Sequence, residues 1–364
     1  MADSPVDPAE LEARGLYDPE APDAADRLEL IAYLCRLGAT VEDLERAKGE
    51  LPGVAAMLAI RGRPSLTMSE VAARAGIAEN LAARVFRAAG FPEPDPATLT
   101  GNEEDVEALR TLNAGIELLG REQMIQLTRV VGSSLARIAD AMVSAFVVNV
   151  AAPSIDEDPS GLALARANAE AGALLRSGGA AIDMLLRRHI EIAQRPLVLG
   201  VQETQPLAVG FVDLVGSTTI AQRLSMPEFG ELLTTFDRLA SDLILDHGGR
   251  LVKLIGDEVM FITSDPSAAC EIALDLAAQL TTDPLLPPGR GALASGEVLT
   301  RDGDYFGPVV NLAARAVKLA DPGAVVASAD VRDATDDYSF TPLRAQRLKG
   351  FDEPVELFRL ERAG

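Results

Sequence analysis

The chain has 364 residues, 48% of them apolar, which is enough for two packed cores and too apolar for a disordered polymer. Its 33 basic and 55 acidic residues give a net charge of −22, which repels nucleic acid and anionic membrane surfaces over the molecule as a whole. Cys35 and Cys270 stand far apart, outside any CxxC or Cys/His cluster, which argues against a disulfide framework or a zinc site.

The opening stretch MADSPVDPAELEARG has neither the basic start nor the apolar run of a signal peptide, and a cytoplasmic protein is expected. Over residues 1–195 Ala, Leu, Glu and Arg dominate and strand-like alternation is scarce, which predicts an all-α domain. Within it LTMSEVAARAGIAENLAARVFRAAGF, 66–91, reads as two short helices about Gly76, a helix-turn-helix pattern. Arginines and acids nearly balance there, a poor electrostatic footprint for DNA, so the pattern is read as internal packing and no nucleic-acid partner is expected.

The longest apolar run, AMVSAFVVNVAAP at 141–153, falls short of the ~20 residues a membrane-spanning helix needs. A buried helix and no membrane partner are expected from it. GAAIDMLLRRHIEIAQRP, 179–196, feeds a linker placed at 196–206 and carries His189, the candidate proton-sensing residue of this half.

From Pro206 the texture changes to short β-branched runs (LAVGFVDLV, RLVKLIG, EVMFIT, GAVVAS, PVELFRL) separated by helical patterns. Phe229, Leu232, Leu233, Phe236, Leu239, Leu243 and Ile244 recur at helical spacing, and His247-Gly248-Gly249 supplies the stop. The predicted order is strand 207–213, helix to about 246, hairpin 250–263, helix 266–281, strand 291–299 and helix 309–320. That is an α+β domain over 207–364 with a ferredoxin-like βαββαβ core.

Asp213 ends the first strand and Asp257 sits at the hairpin turn, two carboxylates that paired strands can bring together. Each alone also reads as a turn cap. Together they suit hard cations, since Mg²⁺ takes one or two carboxylates plus substrate phosphates. Asn311 and Arg315, four apart, share a helix face, which is either a solvated face or an amide and a guanidinium presented to a phosphorylated ligand.

FVDLVGST, GGRLVKLIGDEVMF, GRGALASGEV, DYFGPVVNLAARAVKLADPG and LKGFDEPVELFRL follow in an order and at intervals that resemble the catalytic domain of class III nucleotidyl cyclases, over about 205–361. The resemblance implies an adenylate cyclase that turns ATP into 3′,5′-cyclic AMP and pyrophosphate. Asp213 and Asp257 then bind two divalent cations per site, Mg²⁺ or Mn²⁺. Lys253 donates to a ring nitrogen of adenine and Asp304 accepts from its exocyclic amine. Asn311 positions the ribose, Arg315 meets charge developing on the α-phosphate, and Lys349 contacts the terminal phosphates.

In this family the site lies between two catalytic domains, so a homodimer is implied. The whole arrangement resembles cyclases in which an α-helical N-terminal regulatory domain restrains the catalytic one, with a small molecule, a lipid or pH as possible inputs. Glu258 is left without a role. The rival reading, a catalytically quiet nucleotide sensor for a DNA-binding first half, gives no chemical reason for Asp213, Asp257, Lys253, Asp304, Asn311 and Arg315 all to be present.

Overall fold

The computed structural model describes residues 7–47, 49–61, 64–93, 98–194, 204–283 and 285–363. Its contacts divide the chain into two compact units, Met1–Leu199 and Gly200–Gly364. Most of the expected linker, 196–203, lies outside the described residues, and its last three positions already belong to the first strand.

The first unit is helical, as expected: α1 (Pro8–Ala13), α2 (Ala24–Arg36), α3 (Val41–Arg46), α4 (Leu51–Arg61), α5 (Met68–Ala75), α6 (Glu79–Ala88), α7 (Glu103–Leu119), α8 (Arg121–Phe146), α9 (Ala152–Glu157), α10 (Leu162–Ser177) and α11 (Gly179–Gln194). Capping boxes start three of them, Thr40 with Asp43, Thr67 with Glu70 and Asn102 with Asp105, each satisfying otherwise orphaned backbone donors. One core joins Leu30, Ile31, Leu34, Leu51 and Val54 to Ala165 of α10. A second joins Val71, Leu81 and Val85 of the helix-turn-helix pattern to Val106, Leu109 and Ile125, so this pattern does pack internally.

The apolar run 141–153 corrects the sequence reading. Helix α8 continues through a π-helical turn, Val147–Ala151, into α9. Met142, Val143, Val147, Val148 and Val150 are exposed rather than buried. By length and composition alone the continuous helix Arg121–Glu157 is long and apolar enough to cross a membrane. Only Ile125 and Thr128, near the start of α8, are buried; α6 and α7 pack on this helix, and Gly132 lies against the Ala89 backbone. Composition revealed an apolar segment but not the surface that covers it.

The second unit runs β1 (Thr204–Leu214), α12 (Ser217–Ala221), α13 (Met226–Asp246), β2 (Arg250–Ile255), β3 (Glu258–Thr263), α14 (Pro266–Thr282), β4 (Gly289–Arg301), β5 (Asp304–Phe306), α15 (Pro308–Ala316), β6 (Val325–Ser328), α16 (Ala329–Asp333), β7 (Tyr338–Pro342) and β8 (Leu357–Arg362). The sheet order is β2-β3-β1-β4-β6-β8-β7, with β5 paired to β4. Its first four strands with α13 and α14 form the expected ferredoxin-like βαββαβ core.

Strand alternation sorts the sheet into two faces. Ala208 and Val212 of β1, with Val259 and Phe261 of β3, turn toward Phe236, Ile244, Ile272 and Leu276 of α13 and α14. Phe261 is fully buried, and its ring crosses β1 at Gly210, where a Cβ would overlap it. Burying a side chain of this size contributes roughly 1.5–3 kcal/mol. The alternate residues Val209, Phe211, Met260, Ile262, Ala292 and Ala294 face Ala313, Ala316 and Val317 of α15 and the turn after it.

Candidate active site

Asp213 has the same strand parity as Val209 and Phe211, so it projects on the α15 face. It pairs in register with Glu258 on β3 and with Arg290 on β4. The Leu214 N–H donates to the Asp257 carbonyl at 3.0 Å, which fastens the hairpin turn to the end of β1 and brings the second aspartate beside the first. Gly256 takes the left-handed φ of +65° that the turn requires. The Ser217 hydroxyl donates to Oδ2 of Asp257.

Two basic groups grip Asp213, whose side chain is 3% exposed. Arg290 donates to its Oδ2 through Nε at 2.9 Å and Nη2 at 2.8 Å. Lys318 Nζ lies 2.8 Å from its Oδ1 and 3.1 Å from Oε2 of Glu258. Burial pushes the Glu258 carboxyl above its usual range; Lys318 opposes this, and the charges of Asp213 and Asp257 add to it. Three acids therefore feel one another at this corner.

The donor set fits hard divalent cations: it is all oxygen, carries excess negative charge and sits at a strand end. Among the described residues no group of three or more His, Cys, Asp and Glu is placed to hold a metal ion by protein ligands alone. Asp213 and Asp257 would supply two carboxylates to such an ion and leave the rest of its shell to water and phosphate oxygens.

Lys253 and Asp304 meet directly, Nζ standing 2.8 Å from Oδ1 and 2.6 Å from Oδ2. A bulge makes this possible: Leu251 pairs with Phe261 but Lys253 with Met260, so one extra residue of β2 turns Lys253 onto the α15 face. Burial by itself raises Asp304, but hydrogen bonds from Lys253 and the Tyr305 N–H, with the lysine charge, hold its carboxyl below the usual range.

Asn311 is exposed on α15, and Arg315, half-buried one turn later, points to the loop that carries Lys349. The guanidinium of Arg315 lies 5.6 Å from the Phe351 ring centroid and packs against Gly350, whose φ is +80°. Lys349 is exposed beside that glycine. His189 is exposed on α11 of the first unit. The helix-turn-helix arginines are engaged by carboxylates, Arg74 by Glu103, Arg84 by Glu122 and Arg87 by Glu93, which leaves little positive surface for DNA.

The structure thus brings Asp213 to Asp257, Lys253 to Asp304, and Arg315 to the Lys349 loop. Among the described residues no hydrogen bond or ion pair joins the acidic corner to Lys253–Asp304 or to Arg315. Sequence reasoning missed Arg290, Lys318 and Ser217 and left Glu258 idle. Arg290 and Lys318 lay within quoted motifs, and strand parity would have placed Arg290 and Glu258 with Asp213 had the register been known.

Comparison with known proteins identifies the family. The family described as "Adenylate cyclase regulatory domain" matches residues 10–191. An uncharacterized protein of Mycobacterium tuberculosis is 35% identical over 96% of this chain and 93% of its own. An adenylate cyclase of Glutamicibacter nicotianae is 33% identical over 84% of this chain and 81% of its own, and one of Streptomyces coelicolor is 35% identical over 71% and 69%. These matches run through the helical unit and into the sheet that bears the five motifs, and the chain belongs to the class III adenylate cyclases that carry an N-terminal helical regulatory domain.

Proposed function

We propose that this adenylate cyclase forms cyclic AMP and pyrophosphate from ATP at a site shared by two copies of the chain, with two divalent cations, Mg²⁺ or Mn²⁺, held by Asp213 and Asp257. The carrying observation is that an acidic corner and a preformed Lys253–Asp304 pair lie on the sheet face covered by the helix that bears Asn311 and Arg315. Cations bound at the corner supply Lewis-acid stabilisation of phosphate oxygens and ease loss of the ribose 3′ proton.

The chain's own residues supply orientation and charge. Lys253 donates to a ring nitrogen while Asp304 accepts from the exocyclic amine, a polarity that matches adenine. Asn311 holds the ribose. Arg315, braced by Phe351, offers its planar fork to the α-phosphate as charge builds there, and Lys349 takes the terminal phosphates. The 3′ hydroxyl gives its proton to water as its oxygen bonds to the α-phosphorus, the bond from that phosphorus to the α–β bridging oxygen breaks, and pyrophosphate departs with its electrons. No side-chain nucleophile takes part.

Two observations support a second copy. Within one chain the acidic corner and the base-reading pair are not linked among the described residues, as expected if they serve different sites. In the first unit, Leu127, Val131, Leu135, Ile138 and Met142 form an exposed stripe on α8 at spacings of three and four, the pattern of a two-helix seam. Arg129, Arg137 and Asp140 interrupt that helix, which lipid would penalise and a protein seam tolerates. Restraint by the first unit then needs only to keep two catalytic units from aligning. A proton input through His189 remains part of the proposal, tested by whether His189→Ala flattens the pH profile of cyclic AMP formation.

The deciding experiment incubates the full chain with ATP and Mn²⁺ or Mg²⁺, then mixes two inactive variants, Asp257→Ala and Arg315→Ala, after co-expression. A shared site predicts recovered activity, since a mixed dimer holds one intact site. No recovery from a verified mixed dimer refutes sharing.

A further inference from the structure

Asp213 is almost fully buried, yet it offers no oxygen to solvent-borne cations without a displacement. Arg290 occupies Oδ2 with two donors, and Lys318 occupies Oδ1. The two basic groups are not equivalent. Arg290 is 22% exposed, is fixed in the strand opposite Asp213, and also donates to the Lys318 carbonyl at 3.3 Å. Lys318 lies just past the end of α15, and its side chain is 52% exposed on a flexible four-carbon stem. Lys318 is the more exposed of the two, and Arg290 is the more heavily hydrogen-bonded.

We infer that Lys318 is an exchangeable internal counter-ion that competes with the divalent ion for Oδ1 of Asp213 and so sets its affinity. Glu258 is its second anchor, which gives that residue a role. Three carboxylates, Asp213, Asp257 and Glu258, face two cations in this state, and release of Lys318 uncovers one further negative charge for the incoming ion. An ammonium and a divalent cation cannot share Oδ1, because their mutual repulsion at contact distance adds to the steric conflict. Binding is therefore an exchange, and its free energy includes the loss of the Lys318 contacts. The inference rests on the assignment of Asp213 as a cation ligand.

The test measures Mn²⁺ binding to the nucleotide-free full chain through the electron paramagnetic resonance signal of the free ion. Lys318→Met keeps the apolar stem and removes the competitor, so binding should tighten by about tenfold, a difference of ~1.4 kcal/mol. Lys318→Gln should act in the same direction, and Lys318→Arg, which keeps the charge, should stay near wild type. In an Asp213→Asn background the effect of Lys318→Met should vanish. If Lys318→Met and Lys318→Gln fold normally by circular dichroism yet bind Mn²⁺ no more tightly, while Asp213→Asn abolishes binding, the counter-ion role is overturned and the ligand assignment stands. If Asp213→Asn binds Mn²⁺ as wild type does, both fall together.

Discussion

Replacing Asp304 by Ala should separate nucleotide recognition from stability. Lys253 Nζ is 2.8 and 2.6 Å from the two carboxylate oxygens, but the side chains are 39% and 36% exposed, so water screens the pair. Partly exposed pairs contribute roughly 0.2–1 kcal/mol to folding. At about 2–4 °C per kcal/mol for a domain of 150–250 residues, the loss in Tm should stay under ~4 °C. The adenine amine, by contrast, loses a charged acceptor in an enclosed complex, where such hydrogen bonds are worth ~1.5–3 kcal/mol. That corresponds to a fall of about 10- to 150-fold in kcat/KM for ATP. Cyclic AMP formation at saturating Mn²⁺ and a thermal melt read the two effects separately. Adding Lys253→Ala should cost less than in the wild-type background, because both groups address one base. A kcat/KM within twofold of wild type, or a Tm fall beyond ~8 °C, would refute the reasoning and make Asp304 a structural residue.

Because Asp304 is held below the ordinary aspartate range, its stabilising effect is complete above the unfolded value of about 3.9 and is lost as pH falls through the lower folded value. The small stability gap between wild type and Asp304→Asn should therefore persist at pH 5 and close only below ~4, as chemical denaturation at each pH would show. Burial pushes the Cys270 thiol up to about 12, so thiol reagents at pH 8 should label it only in denaturant, and rapid native labelling would contradict its placement. Gly210→Ala drives a methyl into the buried Phe261 ring and should lower unfolding free energy by about 1–3 kcal/mol in urea, whereas an unchanged midpoint would mean the strands part without cost. Leu135→Glu with Ile138→Glu should convert a dimer to monomers in analytical ultracentrifugation with helix content intact, and a persisting dimer would remove the α8 seam.

The order of elements was legible because each carries a local signal. The Ser225–Glu228 capping box, Pro at the start of α13, and its long apolar stripe place that helix where spacing predicts it. Short, nearly continuous apolar runs in FVDLV and EVMFI mark two strands buried on both faces. What such runs cannot supply is register, and the site depends on it. Asp213 opposite Arg290 and Glu258 is a fact of β1 pairing with β4 and β3, long-range contacts that no window of sequence encodes. The bulge between Leu251 and Lys253 is similarly silent, since RLVKLI reads as an apolar run broken by one lysine until its partner is known. The exposed stripe on α8 failed for a different reason: hydrophobicity says that a face will be covered, and the sequence does not say by which chain.

The β2–β3 hairpin ties the two roles together. Its bulge turns Lys253 toward Asp304, and its turn carries Asp257, pinned by the Leu214 N–H and the Ser217 hydroxyl. Only three residues lie between the base-reading Lys253 and the proposed cation ligand Asp257, yet on the proposed shared site they serve different nucleotides. A displacement of the hairpin therefore alters adenine reading in one site and cation binding in the other. This gives regulation an economical target, because tilting two catalytic units relative to each other spoils both sites while every residue keeps its local bonds. Inhibition of that kind predicts an inactive state with native Lys253–Asp304 and Asp213–Arg290 pairs, distinguishable from damage to either pair by an unchanged melting profile of the catalytic unit.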